Sequence, residues 1–161
     1  MENISKYFIA EKYESLLFVI VGLSAISVAI YFIAKVKLPF YSGMAFPMIV
    51  IAFIQIVVGS SVYVKSSKDI VRVINMVSTD LSKVQKEEIP RMQTVLKNFI
   101  LYKWIEIVLI AIGIVLFIYF PNASLLKGVG LGLFIQAGFM LILDLFAESR
   151  GKTYLEYLQN L

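Results

Sequence analysis

The sequence predicts an all-α integral membrane protein, a four-helix bundle of two plus two transmembrane helices with a cytoplasmic helical segment between the second and third spans. Three observations carry this. Four apolar runs, Ser15–Ala34, Met44–Val64, Trp104–Phe120 and Val129–Phe146, each have a bilayer-spanning length, for which about 17–25 residues are required. The 161 residues are 60% hydrophobic with a mean hydropathy of +0.85, more apolar than a soluble domain. The segment between the two pairs is charged.

Residues 1–14 place Ile4, Tyr7, Phe8 and Tyr13 among Glu2, Lys6, Glu11, Lys12 and Glu14. This spacing suits an interfacial helix leading into the first span, residues 15–34, or a helical extension of that span. The first span is read as a retained signal anchor: its apolar run is long for a cleaved leader, and Lys35-Val36-Lys37-Leu38-Pro39 is a poor cleavage sequence. The loop Lys35–Gly43 holds Pro39, Phe40 and Tyr41, with a further proline at 47 in the first turn of the second span, residues 44–64.

The middle segment, residues 65–103, carries an apolar stripe at heptad-like spacing: Ile70, Ile74, Val77, Leu81 and Val84. It is a candidate docking surface. A second stripe, Met92, Val95, Leu96 and Phe99, follows Pro90. Two helical pieces are expected with a break or kink at Pro90. At 1.5 Å rise the first arm would reach about 36 Å and the second about 20 Å. Either the first arm breaks again, at Ser78-Thr79-Asp80, or its tip docks elsewhere. The third span covers 104–120 and the fourth 129–146. The tail, 147–161, puts Tyr154, Leu158 and Leu161 on one face, to lie on the membrane or pack on the cytoplasmic helices. Gly128-x-x-x-Gly132 reads as a close helix-packing face.

Charge sets the orientation. Lys6, Lys12, Lys65, Lys68, Arg72, Lys83, Lys86, Arg91, Lys97, Lys103, Arg150 and Lys152 fall on one side, and only Lys35, Lys37 and Lys127 on the other. The positive-inside rule puts both termini in the cytoplasm, in the cell membrane of a bacterium (the inner membrane). The net charge of +4 points to anionic lipid head groups on the cytoplasmic face. No basic block or aromatic–basic interleaving suggests nucleic acid.

Cysteine and histidine are absent, which removes thiol nucleophiles, Cys/His metal sites and histidine-based triads. No cofactor is expected. Polar groups within spans are the places to look for function. Gln55 and Gln136 lie at about 16 and 14 Å depth on the second and fourth helices, level enough to hydrogen-bond. Near the cytoplasmic face, Glu106 and Asp144 sit at one level, with Glu148 one turn beyond Asp144 and Lys103 one turn before Glu106. They form either an ion-pair collar or a cation- or partner-binding site. The expected function is non-catalytic: a small membrane protein acting by contact with a protein partner or its own copies, as an accessory subunit or an immunity protein against a membrane-active toxin. The alternative is an oligomeric channel or transporter with its pore between subunits.

Overall fold

The computed structural model describes all residues, Met1–Leu161. The chain is all-helical, and four helices are long and apolar enough to cross a membrane: α1, Glu2–Val36; α2, Pro39–Thr79; α3, Leu81–Tyr119; α4, Leu125–Gln159. The 41 residues of α2 extend about 60 Å, twice the roughly 30 Å hydrocarbon thickness. The surplus of α2, like that of the other helices, gathers at one end. That end, here the head, carries both termini and the α2–α3 turn.

Local chemistry sets the boundaries. Helix α1 closes in a π-wound turn, Phe32–Val36, and Lys37 turns left-handed (φ 55°) to end it. Pro39 opens α2 at its first turn, where a missing N–H costs nothing. This start makes Pro47 an interior residue of α2 rather than a first-turn one; its cost is the single bond back to the Gly43 carbonyl. Helix α4 starts where the Ser124 hydroxyl accepts from the Lys127 N–H at 3.2 Å.

The hairpin between α2 and α3 turns at Asp80, not at Pro90. Asp80 is extended (φ −161°, ψ 99°), and its carboxylate accepts from the Ser82 N–H at 2.9 Å. Helical structure continues across Pro90. The turn before it, Val84–Glu88, is π-wound, and a wider i→i+5 turn is one way a helix absorbs a proline's missing donor. Of the break or kink expected at Pro90, no break forms; the helix stops instead at Asp80, within the Ser78-Thr79-Asp80 alternative, where the cap is the stronger stop.

The helices do not close a ring. Helix α2 packs on α1 and α4, and α4 on α2 and α3, while α1 and α3 have no Cα atoms within 8 Å of each other. Glycines dictate this order. A Cβ on Gly128 would stand 1.8 Å from the Phe40 carbonyl oxygen, and one on Gly132 would stand 2.6 Å from that of Met44, both on α2. Gly130 meets Gly113 of α3 instead, where a Cβ would lie 2.6 Å from the carbonyl oxygen. Two positions along a helix turn by about 200°, so α2 and α3 flank α4 on opposite sides. Helix α1 packs on α2 through Gly22 and Gly59 and near α4 only at the head. Of the most apolar stretch of α3, only 11% is buried by protein, against 39% in α2.

The head has its own core: Ile4, Tyr7 and Phe8 of α1, Val73 of α2, Val84 and Met92 of α3, and Tyr154 and Leu158 of α4. Residues 1–14 are thus a packed extension of α1 rather than a helix lying on a membrane surface, because Ile4 and Phe8 are fully enclosed by the other three helices. The tail likewise packs inward through Tyr154 and Leu158, while Leu161 is exposed. The ring of Tyr154 stacks on that of Tyr7, 4.1 Å between centroids and 7° from parallel.

Candidate functional site

The polar groups of the spans fall at two levels. At mid-length, the glycine contacts bring α2 and α4 together, and Gln136 Nε2 donates to Gln55 Oε1 at 3.1 Å. Both side chains are buried, and Gln55 Nε2 has no hydrogen-bond partner. A bond between two amides leaves capacity on each unused, so this pair holds α2 to α4 with a spare donor.

One level nearer the head, Glu106 of α3 is 2% exposed, and neither of its oxygens has a donor. The Asp144 carboxyl of α4 is its neighbour. A turn further out, Lys103 donates to Glu148 Oε2 at 2.6 Å, and Lys152 reaches Glu148 Oε1 at 2.7 Å. Those two lysines hold the Glu148 carboxyl below its ordinary range. On the other flank of α4, Arg150 pairs with Glu14 of α1. Burial nonetheless pushes the Glu14 carboxyl up, against the pull of Arg150.

Of the two alternatives, this arrangement matches the ion-pair collar rather than a site of three carboxylates. Glu148 is turned to its two lysines and does not join Glu106 and Asp144; no group of three such side chains converges as a metal ligand set. Lys103 crosses to α4 instead of pairing with Glu106 on its own helix. The result is an ion-pair collar that ties α3 and α1 to α4, with the Glu106–Asp144 carboxyl pair inside it.

The stripe on α2 and α3 does not stand free as a docking surface. Val84 is buried, Ile70, Ile74 and Val77 pack against the head core, and only Leu81 is well exposed, at 46%. Its cover comes from within the chain, from the first turns of α1 and the last turns of α4. These are the parts furthest from it in sequence.

The most connected polar residue lies outside the candidate residues that sequence spacing singles out. Glu88 is fully buried and accepts from Arg72 at 2.9 Å, from Arg91 at 2.6 and 2.9 Å, and from the Tyr154 hydroxyl at 3.2 Å. Asp69 accepts from Arg72 at 3.0 Å and faces Arg91 at 3.9 Å. The local signal was present: Asp69–Arg72 and Glu88–Arg91 are both spaced i, i+3, where side chains share a helix face. Burial, and after it the Glu88 carboxylate, push the Tyr154 hydroxyl upward in pKa, against the pull of Arg91.

No family model matches the chain. Comparison with curated proteins and with solved structures gives no match either.

Proposed function

We propose that this chain is a non-catalytic membrane protein that works by helix–helix contact, with a partner protein or a second copy seated along α3. The observation that carries the reading is the position of α3. Beyond the head it packs on α4 alone, held by Gly113 against Gly130 and by the Lys103–Glu148 pair, and exposes most of its apolar residues. A helix so lightly held is one that a partner can engage without dismantling the fold. In the proposed setting, a bacterial inner membrane, the head with both termini is cytoplasmic, as the lysine and arginine distribution favours. An accessory subunit or an immunity protein would act in this way.

The absence of cysteine makes the test clean. Single cysteines replace exposed residues of α3 (Val115→Cys, Ile118→Cys) or of α1 (Ile20→Cys, Leu23→Cys), and native membranes are treated with a thiol-anchored photocrosslinker. Contact along α3 gives a discrete adduct from the α3 positions and none from α1. Lipid adducts alone from both helices overturn the proposal.

A further inference from the structure

Two helix faces meet in the head with their polar groups turned to a common cavity. Helix α1 contributes Asn3, Lys6, Tyr7 and Ala10, and α4 contributes Arg150, Thr153, Tyr154 and Tyr157. Each set is spaced i, i+3, i+4, i+7, one face of a helix. The cavity between them measures about 320 Å³, room for a small polar group.

Its charge is one-sided. No carboxylate lines it, while Lys6 and Arg150 do. Lys6 is in none of the chain's ion pairs. Arg150 gives one terminal nitrogen to Glu14, but its Nε is shielded from solvent and has no hydrogen-bond partner. The stacked Tyr7 and Tyr154 rings form a rigid wall, their hydroxyls already committed to Glu11 and Glu88. The cavity therefore offers the Lys6 ammonium, the Arg150 guanidinium and the Asn3 amide, a donor set for an oxyanion.

Position narrows the class. Ala10 lies five residues before the first apolar run and Arg150 four residues after the last, about 6–8 Å along the helix axes. The polar headgroup layer adds about 5–8 Å to each side of the hydrocarbon. The inner end of the cavity stands at the depth of lipid phosphates. We infer that the groove between the head ends of α1 and α4 is a binding site for a phosphate-bearing anion, carried by an anionic lipid headgroup or free in solution. This goes beyond the contact reading and does not depend on it.

The full chain, purified in mild detergent, is titrated with phosphatidylglycerol or phosphatidylcholine and followed by native mass spectrometry and thermal unfolding. A single retained phosphatidylglycerol, with a raised midpoint and no such effect of phosphatidylcholine, is expected. Lys6→Gln weakens retention about five-fold, from roughly 1 kcal/mol per basic residue near a membrane surface; Lys6→Arg restores it. Ala10→Leu fills the groove and blocks retention at unchanged charge. Inorganic phosphate is the second arm: if it raises the midpoint in a Lys6-dependent way and displaces the lipid, the site takes phosphate from solution. Equal weakening by Lys6→Gln and by Lys86→Gln, a lysine outside the groove, overturns the site in favour of diffuse attraction. Retention unaffected by Ala10→Leu, or no effect of either probe, also overturns it.

Discussion

The Glu88 carboxylate, fully buried in the head, takes two hydrogen bonds from Arg91 and so fixes the turn in which α3 leaves the hairpin. Through Arg72 it also reaches back to α2, and through Tyr154 to α4. One side chain thus joins three helices. Glu88→Ala leaves the Arg91 guanidinium and a buried hydroxyl without their acceptor, and Arg72 with Asp69 alone. Breaking a buried pair costs about 3–5 kcal/mol; both arginines keep some solvent contact, which places the loss near the lower figure. Equilibrium unfolding in mixed micelles measures it, and near-UV circular dichroism of the stacked tyrosines reports loosening of the head. A loss below about 1 kcal/mol, the scale of an exposed pair, would remove Glu88 from its central role.

The two amides at mid-length are expected to act as a unit. Interhelical hydrogen bonds in membrane proteins contribute about 0.6–2 kcal/mol. Gln136→Leu alone therefore destabilises by that order, because it strands the buried Gln55. Gln55→Leu with Gln136→Leu restores balance, since an apolar pair leaves no polar group unmade. A double-mutant cycle that comes out additive would mean the two do not communicate.

Glycine positions divide sharply by what surrounds them. At Gly128 a methyl group would stand 1.8 Å from the Phe40 carbonyl oxygen, and backbone cannot step aside. Gly128→Ala must pry α2 from α4, at a cost of about 3 kcal/mol or more. At Gly138 nothing lies within 4 Å. Gly138→Ala should be neutral or stabilising by up to about 1 kcal/mol, the helix-propensity difference. Thermal midpoints of the two variants in one detergent decide it: similar midpoints would contradict the close approach of α2 and α4.

Some of this was readable in the residues and some was not, for physical reasons. Apolar run length finds a membrane-length helix because lipid demands it along the whole span. Depth counting paired Gln55 with Gln136 because rise per residue is constant. Pro90 misled because a proline's effect depends on the turn before it, and the π-wound Val84–Glu88 stretch leaves no local mark in sequence. The stripe from Ile70 to Val84 looked uncovered because its cover, Phe8 and Leu158, lies near the two chain ends. Sequence spacing gives one helix face but not what faces it: Glu148 shares a face with Asp144 on its own helix, yet Lys103 of α3 claims it. The same blindness hid Glu88, whose partners Arg72 and Tyr154 sit on other helices.

Acid should act on the collar in two opposed ways. Glu148 has its folded-state pKa held below the ordinary 4.5 by Lys103 and Lys152. Its ionised form is favoured by folding, so its contribution is complete above the ordinary value and is lost as pH falls below it. Glu14 runs the other way: burial raises its folded-state value above 4.5. Its charge opposes folding above that pH, and the penalty is relieved as pH falls toward it. Unfolding midpoints recorded across this range should separate the two. Glu148→Gln lowers stability at neutral pH and flattens the acid limb below about 4.5 relative to the parent chain. Glu14→Gln leaves that limb in place and flattens the slope above it. An acid limb as steep in Glu148→Gln as in the parent would mean that the Lys103–Glu148 tie between α3 and α4 contributes nothing to stability.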